Sequence, residues 1–312
     1  MNLSKPYLYG VLIGLLLAAS GSHAANQRSI WNNATGDYEF TTAGNWGGER
    51  GGLPGNQPDS GDTTNAIIQS SGPVNLTSNF TAANPFDVLI IRKGLTLNVA
   101  ADMDLNGSPL LLGQTDPGNL LNQTAGTVSV TNLNIGDLAQ TGEEGTYNLS
   151  GGTLNATGGI TINDNSLFSL QGDSASVSAS SLTLSANETG ADPTLDFQLG
   201  STGVNAIALT GAFQINSPDA VLSIDGSAFT GGPGTYELVT YGSRTGTFPD
   251  PSNISLTGSF NGLQTAISYD ADSLNLVLTV PEPSTVLGLL GLGAAAVMRR
   301  RRRNLADAAT ES

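Results

Sequence analysis

The chain has 312 residues, with 26 acidic and 11 basic side chains, a net charge of −15, one histidine and no cysteine. The lack of cysteine excludes a disulfide framework, a Cys-ligated zinc site and a thiol nucleophile, and the acidic balance excludes the basic footprint of a nucleic-acid binder. Only 12% of residues are charged, about half the usual share, yet short Val/Ile/Leu runs recur, which argues against wholesale disorder.

Residues 1–24 read as a secretory signal peptide. Lys5 supplies the positive n-region, Val11 to Ala19 the apolar core, and Ser22-His23-Ala24 the small residues before a cleavage point at Ala25. Cleavage there removes His23, the only imidazole. Segment 25–280 then carries 23 acidic against five basic side chains (Arg28, Arg50, Arg92, Lys93 and Arg244), a balance of −18. Such a segment stays soluble and repels anionic polymers unless cations bridge them.

Residues 25–65 hold both tryptophans, Trp31 and Trp46, and a Gly/Pro-rich loop. They read as an N-terminal cap, because an open end of a stacked sheet is an exposed edge.

Residues 66–234 are patterned as strands. Apolar residues alternate at Leu89/Ile91, Leu110/Leu112, Leu133/Ile135, Ile160/Ile162, Leu182/Leu184 and Ile207/Leu209, with Asn, Gly, Asp and Ser between them. These pairs recur at steps of 21, 23, 27, 22 and 25 residues, the period of a solenoid. The expected fold is all-β, a right-handed parallel β-helix with inward aliphatic columns and Asn/Gly corners. The alternative is an antiparallel β-sandwich.

Residues 235–280 carry Tyr236, Tyr241, Phe248, Phe260 and Tyr269. They read as antiparallel hairpins closing the far end, with a turn at Asp270-Ala271-Asp272-Ser273.

The C-terminal segment is the most specific. Pro281-Glu282-Pro283 is followed by an apolar run, Val286 to Met298, then by Arg299, Arg300, Arg301, Arg302 and Arg303, and by a polar tail, 304–312. Thirteen residues as a helix span about 20 Å, short of the ~20 residues of a comfortable membrane crossing; snorkelling arginines extend it. The positive-inside rule keeps the arginines cytoplasmic and places 25–280 in the periplasm. Pro281 and Pro283 keep the triplet extended.

This order of triplet, apolar span and Arg cluster resembles the PEP-CTERM sorting tail of Gram-negative bacteria. The nine residues after the arginines depart from the usual pattern. The resemblance implies transient anchoring in the inner membrane and tail removal by an exosortase. It also implies an association with exopolysaccharide and biofilm matrix. Separately, Gly145 to Leu154 (GTYNLSGGTL) resembles the β-strand repeats of autotransporter passengers.

Chemistry is sparse. Without an imidazole, Ser-His-Asp and Cys-His catalysis and His/Cys zinc sites are not expected. No catalytic, cofactor-binding or metal residue is assigned, and no cofactor is required. The tempting carboxylates for two-carboxylate glycoside chemistry are Asp102, Asp104 and Asp164, and the expectation is that they cap turns instead. Asn163-Asp164-Asn165, Asp102-x-Asp104 and Asp270-x-Asp272 offer oxygen ligands for Ca2+, but none completes a known calcium loop, and solvated turns are expected. The expected role is a structural or adhesive, exported envelope or matrix protein rather than an enzyme. The competing reading is an exported polysaccharide-active β-helix enzyme using paired carboxylates.

Overall fold

The computed structural model describes residues 27–48, 64–69, 72–113, 116–136, 144–185, 192–248 and 251–282. The fold is all-β, with three 3-10 turns as the only helical elements among the described residues. Most coils contribute three short strands, each stacked in parallel on its counterpart in the coil before.

The first ladder runs Val74–Leu76, Thr96–Val99, Asn119–Gln123, Gly145–Leu149, Leu167–Gln171, Thr194–Gln198, Val221–Asp225 and Ile254–Thr257. The second begins at Phe80–Thr81, Met103–Asp104 and Thr127–Val130, and ends at Ile207–Leu209 and Gly234–Thr240. The third begins at Gln27–Trp31 and Thr64–Ile68, continues through Val88–Ile91, Leu110–Leu112 and Leu133–Ile135, and ends at Ala212–Ile215 and Ser243–Thr245. In two coils the second and third strands fuse into Gly152–Ile162 and Ala175–Leu184, and the corner survives as a bulge between Ala156 and Gly159. Two residues there face one on the partner strand, which bends the sheet without breaking it. Parallel register through all three ladders excludes the antiparallel sandwich.

The core follows from period-2 patterning. Leu89, Leu110, Leu133, Ile160 and Leu182 form one column, and Ile91, Leu112, Ile135, Ile162 and Leu184 the next. All ten are fully buried, each worth roughly 1.5–3 kcal/mol of transfer free energy. The pair expected at Ile207/Leu209 does not continue these columns. Phe213 and Ile215 do, while Ile207 and Leu209 stack on Val177 and Ala179 in the second ladder. The reason is that each coil has two alternating apolar segments on this side. Spacing alone cannot say which segment faces which when one coil is longer than its neighbours.

The two ends break the parallel pattern. Trp46–Gly48 lies antiparallel on Gln27–Trp31. At the other end Ser273–Thr279 lies antiparallel on Gly234–Thr240, and Gln264–Tyr269 pairs antiparallel with its outer side. That hairpin turns at Asp270–Asp272, where Asp270 N donates to Ser273 O at 2.8 Å.

Candidate functional site

The carboxylates singled out by sequence do not converge. Asp102 and Asp104 flank one coil corner of the second ladder, and Asp164 sits two coils later, in the turn after Gly152–Ile162. Asp102 Oδ1 accepts from Thr127 N at 2.7 Å, and Asp104 Oδ1 accepts from Asn106 N at 2.8 Å. Asp270 Oδ2 accepts from Asn275 Nδ2 at 2.9 Å. Each thus satisfies a neighbouring turn or strand donor. In the Asn163-Asp164-Asn165 turn, Asn163 Nδ2 donates to Gly136 O, and Asn163 Oδ1 is buried without a hydrogen-bond partner among the described residues. No cluster of three or more His, Asp or Glu side chains forms among the described residues.

A different constellation does converge. The same corner of three successive coils brings together Asp173, the segment Thr202–Ala206, and Thr235–Glu237, around an open groove of about 570 Å³. Asp173 follows the first-ladder strand Leu167–Gln171, and the other segments lead into or lie within the second-ladder strands Ile207–Leu209 and Gly234–Thr240. The Asp173 carboxylate accepts from Ser201 Oγ at 3.2 Å and lies 3.5 Å from Thr202 N. Asn205 Nδ2 donates to the carbonyls of Asp173 and Ala175, both at 3.0 Å, which leaves its amide oxygen as an acceptor. Glu237, exposed, sits at a register shift opposite Asn275.

The aromatic wall of the groove is held rigidly. Tyr236 packs edge-on against buried Phe229, centroids 5.2 Å apart. Its hydroxyl donates to Gly232 O at 2.8 Å. Gly203 has φ +141, and a Cβ there would lie 3.2 Å from Tyr236 Cδ1. Only glycine both adopts that backbone comfortably and leaves the ring its place. Sequence reading missed this site because Asp173 and Glu237 lie in unremarkable turn and strand contexts far apart in the chain. The available signal was that each precedes the buried residues of its second-ladder strand, Ala175 and Val177 after Asp173 and Leu238 and Val239 after Glu237.

A second outward feature lies on the first ladder. Asn75, Asn98, Asn122 and Asn148 occupy the same register on successive coils. From Asn98 onward each Nδ2 donates to the Oδ1 of the coil before, at 3.0, 3.1 and 3.1 Å. The row continues as Ser169 and Asp196, where Ser169 Oγ donates to Asp196 Oδ2 at 2.7 Å.

The sorting residues lie at the end of this frame. Val280 is 63% exposed, and Pro281 and Glu282 after it are exposed as well, so the chain leaves the solenoid into solvent at the start of the triplet. Pro283, the expected helix 286–298 and Arg299–Arg303 lie outside the described residues. Among the described residues no helix is long and apolar enough to cross a membrane. Residues 279–303 match the PEP-CTERM protein-sorting motif. The chain carries an exosortase sorting signal. A protein with this signal is exported and held by its C-terminal tail until the exosortase acts. No curated protein and no solved structure matches the chain.

Proposed function

We propose that the exported solenoid is a non-catalytic envelope or matrix component, structural or adhesive in role, which contacts exopolysaccharide once the tail is removed. The observation that carries this reading is the stack itself. Eight first-ladder strands at ~4.8 Å spacing make a rod of roughly 35 Å, and one row along it carries a polar side chain at every step, Asn at the first four and Ser or Asp beyond. Regular, shallow, repeated contacts suit avidity rather than one deep catalytic site. The turn-capping roles of Asp102, Asp104 and Asp270 support it further. So does the Gly145–Leu154 segment, similar to autotransporter passenger repeats. Within this reading the tail is cut near Pro281-Glu282-Pro283, and the product resides at the cell surface or in the matrix.

The test uses the full chain expressed in an exosortase-active host. Intact mass of the protein in envelope, matrix and medium should show a product starting at Ala25 and lacking the Arg block, enriched in the matrix. The purified product, incubated with neutral polysaccharides and with acidic ones in the presence of divalent cations, should show retention without turnover. Turnover that vanishes on Asp173→Asn or Glu237→Gln overturns the structural reading in favour of the two-carboxylate enzyme.

A further inference from the structure

We infer that the groove between Asp173, Thr202–Ala206 and Thr235–Glu237 is a binding site for a neutral, hydroxyl-rich glycan. The inference rests on the matrix reading only for its biological partner. Its chemistry stands on the groove.

Three features define the ligand. First, the groove presents mostly hydrogen-bond acceptors: two carboxylates, the Asn205 amide oxygen, and the Thr202 and Thr235 hydroxyls. Such a surface pairs with a ligand rich in O–H donors. Second, Tyr236 offers a half-buried ring held by Phe229 and by Gly232 O, in space that the glycine at 203 leaves open. A pre-positioned aromatic plate costs little to order on binding, and it matches the apolar C–H face of a pyranose. Third, among the described residues no Arg or Lys lines the groove, and the segment around it is strongly acidic. A uronate or sulfated chain would meet uncompensated like charge. The volume, about 570 Å³, falls in the range of small-ligand sites.

The groove is also continuous with the repeat. Its three walls are the same corner in three consecutive coils. A polymer bound there runs along the stack, so one glycan chain can bind more than one copy of the protein.

The experiment is calorimetric titration of the exported, processed protein with a neutral cello-oligosaccharide, a chitosan oligomer and an oligogalacturonate, each with and without EDTA. The expected result is saturable binding of the neutral chain, unaffected by EDTA, with the oligogalacturonate at least tenfold weaker. Tyr236→Ala should weaken binding tenfold or more, Tyr236→Phe should keep it within twofold, and Glu237→Gln should weaken it severalfold. Thermal melting accompanies each variant. If Tyr236→Ala fails to fold, exposed Glu237→Gln and ring-preserving Tyr236→Phe carry the test. The proposal is overturned if no probe binds, if only the chitosan binds, if EDTA abolishes binding, or if neither folded groove variant, Tyr236→Ala or Glu237→Gln, changes affinity. Matrix retention without calorimetric binding sinks the groove and spares the matrix reading. Calorimetric binding without matrix retention does the reverse.

Discussion

The two ends of the solenoid solve the same problem with different chemistry. Each would otherwise expose a row of unpaired backbone groups, a template for aggregation. The N-terminal end is closed by aromatic packing and a polar knot. Trp31, Trp46, Phe40 and Phe80 meet edge to face, with centroids 5.6, 5.1 and 5.0 Å apart, and Trp46 Nε1 donates to Phe40 O at 2.8 Å. Above them Asp37 accepts from Glu39 N, Thr42 Oγ1 and Asn45 Nδ2. The same loop docks on the first ladder, where Phe40 N donates to Asn75 O at 2.7 Å and Asn75 N to Tyr38 O at 2.8 Å. One short antiparallel strand, Trp46–Gly48, supplements that plug, whereas the C-terminal end is closed by a full hairpin. Its hairpin extends the second ladder, and the Tyr241 hydroxyl sits within reach of the Asp270 and Ser273 carbonyls, at 3.1 and 2.9 Å. Arg244 lies over the Tyr269 ring, 4.4 Å from its centroid, and burial pushes the Tyr269 hydroxyl pKa up. One end is a plug and the other an extension. The groove lies beside the extension, because new strands create new corners whereas a plug fills them.

The largest expected effect erases the contrast. Ile160→Asp places an unpaired carboxylate in the shared core, at a cost of several kcal/mol. Both ends should lose protection together in hydrogen exchange; retention of native exchange at either end would contradict a continuous stack.

Truncations at single ends should separate them. Trp31→Ala removes the centre of the plug at about 3–5 kcal/mol, and Leu276→Ala hollows the hairpin at about 2–5 kcal/mol. An end coil has a neighbour on one side only, so a cavity there opens that coil before the rest of the stack. Proteolysis with mass readout should therefore show the first variant opening near Trp31 with Gly234–Thr240 intact, and the second the opposite.

A smaller effect is expected midway. Asn122→Ala removes two rungs of the amide row, at about 1 kcal/mol per part-exposed hydrogen bond. The melting temperature should fall by a few degrees without preference for either end.

Acid should loosen the N-terminal knot, and Asp225, held below the usual carboxylate range by Ser227, is a second acid-sensitive point near the other end. The Glu39 amide, with Asn45 and Thr42, holds the Asp37 pKa at about 2, below its ordinary 3.8. A depressed carboxylate pKa contributes stability present above the unfolded value and lost as pH falls through the folded one. Between about pH 4 and pH 2 the N-terminal knot should loosen, read as a rise in tryptophan accessibility to quencher. Asp37→Asn should flatten that response.

Much of this architecture was readable before any coordinates. Leu110/Leu112, Leu133/Ile135 and Ile160/Ile162 announced their columns because burial on one face of a strand forces a period of two, and stacking forces a period of one coil. The Pro-Glu-Pro triplet, apolar run and arginines were readable because a sorting signal is recognised as local sequence. Ile207/Leu209 misled because two strands per coil share one pattern, and only packing assigns each to its ladder.

The sequence by itself determined an exported β-solenoid with a C-terminal sorting tail, since targeting and hydrophobic periodicity are local properties of the chain. Only the tertiary structure decided that Asp173, Thr202, Asn205, Tyr236 and Glu237 share a groove, and that Asn75, Asn98, Asn122 and Asn148 form one bonded row. Coils of unequal length bring residues into register through inter-strand hydrogen bonds and core packing. Those contacts depend on the whole stack and leave no local trace in the chain.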